Sequence, residues 1–258
     1  MTTPLLQVEH LRVQPPGAER PILEDVSTVI RAGERVALVG PSGAGKTTLL
    51  RALNGSVRAL SGRILFNGIQ LDDRSSRTLR QVRRGMAVIP QKHDLVENLK
   101  VYHNVMAGAL GRWSNAHALR FLFWQTASEL DEARHALDRV EMADKLHDSA
   151  GKLSGGQQQR VAIARALVQK PLLILADEPV ASLDPRMARQ VLELLCKLAE
   201  DDGVALLCTL HQPELAREYF PRTLEMRDGK LTTDSAGQAP VAPTRSAGET
   251  PAWTPGNA

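Results

Sequence analysis

Short runs in which nearly every residue is apolar recur along the chain, at 35–39, 86–89, 172–176 and 204–210. Runs so brief and so continuous suit strands buried on both faces, and helical stretches separate them, which predicts a largely parallel sheet. The beginning of the chain alternates instead. Leu6 and Val8, then residues 22–30, flank a Pro- and Gly-containing turn at 15–17 and predict a two-stranded start. From Lys46 the apolar positions Leu49, Leu50 and Leu53 follow helical spacing until Gly55 stops it, so strand 35–39, a glycine-rich loop and a helix form one unit.

Between 99 and 169 strand signals vanish. Leu130, Ala133, Leu137 and Val140 recur at three and four residues, while Glu129, Asp131, Glu132, Arg134 and Asp138 take the opposite face. This predicts a helical subdomain over about 92–168, inserted into an α/β domain that spans 1–232. Residues 223–226 and 230–232 around Asp228-Gly229 predict a hairpin. Over 233–258 Ala, Pro, Gly, Ser and Thr prevail with one aromatic, Trp253, and that composition predicts a disordered tail.

Composition narrows the class. With 258 residues, 43% hydrophobic and 24% charged, the chain has material for one generous core, and no apolar run approaches the roughly 18 residues of a membrane span. Its two cysteines, Cys196 and Cys208, sit in apolar segments, which predicts buried free thiols rather than a disulfide. The N-terminus carries no export signal. A net charge of +3 is mild, and Arg74, Arg77, Arg80, Arg83 and Arg84 have no interleaved aromatic residues, so they read as a solvated face with no nucleic acid partner. Trp113, Phe121, Phe123 and Trp124 form the one aromatic concentration, read first as core of the helical subdomain and second as part of a docking surface.

The glycine-rich loop carries the chemistry. Gly40, Pro41, Ser42, Gly43, Ala44, Gly45, Lys46 and Thr47 match G-x-x-x-x-G-K-[ST], in which backbone N–H groups converge on a polyphosphate. Thr48 follows in the first helical turn, whose positive end adds to the attraction. Lys46 is placed to neutralise β- and γ-phosphates and the Thr47 hydroxyl to ligate Mg²⁺. The strand at 172–176 ends in Asp177 and Glu178, at the sheet edge where ligands bind. Asp177 suits support of the metal, and Glu178 suits orienting or deprotonating an attacking water.

A third motif gives the family resemblance. Leu153, Ser154, Gly155, Gly156 and Gln157, followed by residues 158–167 (QQRVAIARAL), resemble the signature of ABC transporter ATP-binding subunits. Here Ser154 caps a helix and the glycines leave amides open, a second anion-binding helix start in one chain. The resemblance, over about 5–232, implies the P-loop NTPase fold of ABC ATPase type: a largely parallel sheet core, an antiparallel β subdomain and the inserted helical subdomain. It implies ATP and Mg²⁺ as ligands and a head-to-tail homodimer in which Ser154, Gly155, Gly156 and Gln157 of one subunit cover ATP held by the other. It further implies that Gln91 contacts the metal or water and joins Glu178 and His211 in catalysis. Asp184 then lies in the loop crossing the dimer interface, and His211 reaches the γ-phosphate.

Within that family, Val180-Ala181 after Pro179 and Gln212 after His211 resemble the phosphonate-importer branch. The resemblance implies a peripheral ATPase on the cytoplasmic face of the inner membrane. Its partners would be transmembrane permease subunits and a periplasmic or lipid-anchored solute-binding protein. The alternatives are the same engine serving an amino acid, metal or other ion, or a soluble ABC ATPase outside transport. One departure stands out: residues 13–20 hold no aromatic residue, where relatives place a ring on adenine.

Overall fold

A computed structural model describes residues 4–71, 76–92 and 94–236, so Arg74, Trp253 and most of the expected tail lie outside the described residues. The chain opens with β1 (Pro4–Val13) and β2 (Leu23–Arg31), then β3 (Arg35–Val39), α1 (Lys46–Leu53), β4 (Ala59–Phe66), β5 (Ile69–Gln70) and α2 (Ser76–Gly85). Next come β6 (Met86–Ile89), α3 (Val101–Met106), α4 (Asn115–Phe123), α5 (Ala127–Asp138) and α6 (Gly155–Val168). The last elements are β7 (Leu173–Asp177), α7 (Pro185–Asp201), β8 (Ala205–Leu210), α8 (Pro213–Tyr219), β9 (Arg222–Arg227) and β10 (Lys230–Asp234).

Two sheets result: an antiparallel one in the order β2-β1-β4-β5, and a six-stranded one in the order β10-β9-β3-β8-β7-β6. In the larger sheet every pairing is parallel except β10 with β9. Burial on both faces explains its unbroken apolar strands: Val36 and Leu38 of β3 join one core with α1 and the antiparallel sheet, while Ala37 and Val39 join another with α6 and α7.

The first strand is longer than its sequence suggests. Leu6 and Val8 are buried, but so are Leu11 and Val13, which have the opposite parity. An irregularity between Val8 and Leu11, with His10 at φ 48°, flips the strand so that both pairs reach the core. Gly62 on β4 permits this, because a Cβ there would lie 2.4 Å from the His10 carbonyl oxygen. Sequence reasoning also passed over β4, whose first five residues are exposed and show no alternation.

The segment between β6 and β7 is helical. Ala133, Leu137 and Val140 are fully buried there, and α5 opens on a capping box between Thr126 and Glu129. Buried Glu129 also accepts from His117 Nε2 at 2.6 Å and from the Arg120 guanidinium, which ties α4 to α5. The expected aromatic core is only half present: Phe121 is buried and Trp113 packs on the core, but Phe123 and Trp124 are 69% and 75% exposed. Phe123 is the last residue of α4, and Trp124 follows it as the extended C-cap.

At the end of α6, the Gln169 amide nitrogen donates to the carbonyls of Arg83, Arg84 and Met86 at 2.7, 3.3 and 2.8 Å, joining α6 to the start of β6. Gly108 lies directly against the same helix, since a Cβ on it would fall 2.0 Å from the Arg165 carbonyl oxygen.

The expected boundary after residue 232 is corrected by β10, which runs to Asp234. Buried Arg222 makes paired bonds to Asp234 at 2.8 and 2.6 Å and also donates to Glu34 and to the Val29 carbonyl. A bidentate, partly buried ion pair holds a segment whose composition alone would leave it unordered. Arg77, Arg80, Arg83 and Arg84 are exposed on α2, and Arg83 caps carbonyls of Asn54 and Gly55. Both cysteines are free and buried, and no described helix is long and apolar enough to cross a membrane.

Candidate active site

The phosphate loop joins β3 to α1 and is shaped by close approach. Gly45 caps α1 at φ 106°, and no side chain caps the helix, so its first backbone N–H groups face outward for a ligand. A Cβ on Gly40 would lie 2.2 Å from the Met226 carbonyl oxygen, so only glycine fits where the loop leaves β3. Lys46 is only 4% exposed and curls back over the loop, donating to the Gly40 and Pro41 carbonyls at 2.8 and 3.1 Å. Ser42 and Gly43 are exposed at the loop's crest, Ala44 is buried beneath it, and Thr47 and Thr48 are half-buried in the first turn of α1.

The acids at the end of β7 meet this loop. Thr47 Oγ1 donates to Asp177 Oδ1 at 3.1 Å. Glu178 turns into the left-handed region at φ 50°, which swings its carboxylate over the loop, 3.8 Å from Lys46 Nζ. His211 Nε2 stands 2.7 Å from one oxygen of that carboxylate, and Gln91 Nε2 donates to the other at 3.1 Å. Lys46, Thr47, Gln91, Asp177, Glu178 and His211 therefore converge from four separate stretches of chain. Parallel strands ending at one edge of the sheet bring them together.

The start of α6 is built differently. The Ser154 backbone N–H donates to Gln157 Oε1 at 2.9 Å, and the Gln157 N–H donates to Ser154 Oγ at 3.4 Å, a reciprocal cap. Gly155 faces Leu183 and Gly156 faces Met187, so this helix start sits beside the start of α7. Asp184 caps α7, accepting from the N–H groups of Arg186 and Met187 at 3.0 and 3.1 Å. Among the described residues no hydrogen bond joins Ser154, Gln157 or Asp184 to residues 40–48.

The family model described as ABC transporter matches residues 23–181. The chain is 41% identical over 236 residues to phosphonates import ATP-binding protein PhnC 2 of Synechococcus sp. (strain JA-2-3B'a(2-13)), covering 89% of this chain and 84% of that protein. It is 43% identical over 226 residues to phosphonates import ATP-binding protein PhnC of Cupriavidus pinatubonensis, covering 86% and 80%. The chain belongs to the ABC transporter ATP-binding family. Its fold also matches the ATP-binding cassette MJ0796, a dimer in a post-hydrolysis state bound to ADP and Pi, with TM-score 0.78, 28% identity, and coverage of 89% of this chain and 97% of that one.

As an ABC ATPase the chain binds ATP. The residues present also fit Mg²⁺, which takes oxygen ligands, uses one or two carboxylates and completes its shell with substrate phosphates and water. Thr47 Oγ1 and Asp177 supply such a set beside the loop, with Gln91 near Glu178 on the same edge. One contributor escaped sequence reasoning. Thr209, fully buried in β8, accepts from the Glu178 N–H at 2.8 Å and donates to Asp177 Oδ1 at 3.0 Å. Its only signal in the sequence is a hydroxyl interrupting the apolar run 204–210, two residues before His211.

Proposed function

We propose that this ABC ATPase energises uptake of phosphonates or related phosphorus oxyanions. It would act as a homodimer on the cytoplasmic face of the inner membrane with transmembrane permease subunits and a periplasmic or lipid-anchored solute-binding protein. Relatives at about 40% identity over most of the chain, named as phosphonate import proteins, support the cargo. The observation that carries the hydrolytic reading is the carboxylate of Glu178, held between His211, Gln91 and Lys46 at the loop's edge.

In this reading the N–H groups of Gly43, Gly45, Lys46, Thr47 and Thr48 cradle the phosphates, and Lys46 exchanges its two loop carbonyls for phosphate oxygens. Thr47, Asp177 and Gln91 would hold Mg²⁺, which would supply positive charge to stabilise the phosphates during transfer. Glu178 accepts a proton from the attacking water, while His211 and Gln91 keep the carboxylate aimed. Ser154, Gly155, Gly156 and Gln157 of the second subunit close over the γ-phosphate, and Asp184 lines the same seam.

Glu178→Gln tests the hydrolytic part, because the amide keeps shape but loses the basic oxygen. Turnover by the purified variant should fall at least about 100-fold with ATP affinity retained. Wild-type turnover would remove Glu178 from that role. Deleting the gene should abolish growth on phosphonate as sole phosphorus source and spare growth on phosphate; unimpaired uptake of labelled phosphonate would refute the cargo alone.

A further inference from the structure

Thr209 stands opposite Asp177 in the β8–β7 register, one strand step beyond the pair Cys208 and Ala176. Alternation along β8 sends Leu206 and Cys208 into the core with α7 and sends Ala205 and Leu207 into the core with α1. Thr209 shares the parity of Ala205 and Leu207, and so its side chain points to the α1 side of the sheet, where Thr47 also reaches Asp177.

A hydroxyl carries one proton and two lone pairs. Thr209 Oγ1 takes the Glu178 N–H on a lone pair, and its proton goes to Asp177 Oδ1, because an ionised carboxylate only accepts. Both ends are thus committed. Asp177 Oδ1 receives two hydroxyls, Thr47 at 3.1 Å and Thr209 at 3.0 Å, which fixes the plane of its carboxylate. Glu178, at φ 50°, has left the strand in a conformation that non-glycine residues seldom adopt. Its N–H is held by Thr209, and its carbonyl accepts from the Ala181 N–H at 3.2 Å.

We infer that Thr209 is a positioning residue for ATP hydrolysis: one buried hydroxyl sets both the carboxylate that supports the metal and the backbone turn that aims Glu178. It is fully buried and acts through its two hydrogen-bonded neighbours. The inference rests on the roles given above to Asp177 and Glu178.

Thr209→Val keeps the shape and removes the hydroxyl, whereas Thr209→Ser keeps the hydroxyl and removes the methyl. The valine variant should lose about 10- to 100-fold in kcat, the scale of a small misplacement at a reacting centre, with KM for ATP within about threefold of wild type. Its ATP affinity without Mg²⁺, measured calorimetrically, should be unchanged. The serine variant should keep at least about half of the wild-type kcat, since the hydroxyl alone carries the effect. Melting curves on all three proteins report folding. Wild-type kcat in a folded valine variant, with Glu178→Gln inactive, overturns this inference and leaves the hydrolytic reading intact. If the valine variant does not fold, a folded serine variant with kcat lowered by more than about tenfold overturns it, because packing of the methyl is then what matters. Wild-type protein that fails to hydrolyse ATP, or an active Glu178→Gln, overturns both.

Discussion

The link between α4 and α5 makes a quantitative prediction. Glu129 is buried, and burial pushes its carboxyl pKa up, but bonds from Arg120, from the Thr126 N–H and from His117 outweigh that, holding it at about 2 against an ordinary 4.5. A depressed carboxylate contributes stability that is fully present above its unfolded value and is lost as pH falls toward the folded one. At about 1.4 kcal/mol per unit the shift is worth about 3 kcal/mol at neutral pH. Arg120 and His117 are each 38% exposed and can be rehydrated, which lowers the expected loss in Glu129→Gln to about 2–3 kcal/mol. For a chain of this size that corresponds to a melting temperature lower by about 4–10 °C. Urea denaturation of both proteins at pH 7, 5, 4 and 3 checks the sign as well as the size. The gap should hold from pH 7 to pH 5 and shrink to about half by pH 3, where the carboxyl is protonated in the unfolded chain but still mostly ionised in the folded one. No gap at pH 7, or one that stays constant to pH 3, would refute the account.

Gly108→Ala should lower stability by about 1–3 kcal/mol or more, read from the urea midpoint, because its Cβ would fall 2.0 Å from the Arg165 carbonyl oxygen; an unchanged midpoint contradicts that contact. Burial pushes the Cys196 thiol up to about 12 and raises Cys208 as well, so thiol reagents should label both only in denaturant, and rapid labelling of native protein would disprove their burial. With no ring in residues 13–20 to stack on the base, a contribution typically worth about 1–3 kcal/mol elsewhere is missing, and ATP should be favoured over GTP by less than about tenfold in calorimetric titration. A larger preference would show that another residue reads the base.

The central sheet was legible because a strand buried on both faces has a pattern little else produces: β3 and β6 occupy the expected residues, and β7 and β8 each begin one residue later. Leu172 marks the difference, since it is apolar yet 46% exposed and stands before β7 rather than in it. The antiparallel sheet was harder to read. In β1 the irregularity at His10 reverses the alternation halfway along, and in β4 only Ile64 and Phe66 face the core. At the site, Lys46, Asp177 and Glu178 announce themselves by residue type at a fixed spacing. Thr209 and Asp234 do not, because their roles come from partners more than ten residues away, and spacing along the chain carries no trace of those.

Gln169 has a mechanical meaning. Its single amide clasps the strand that leads to Gln91 onto the helix that begins after Ser154, so α6 and β6 are the two arms of one bracket with Gln169 at the elbow. The helical arm spans about 21 Å at 1.5 Å per residue. Sliding α6 past β6 would therefore break the three Gln169 bonds, so the elements that lead to Ser154 and to Gln91 share one anchorage far from both.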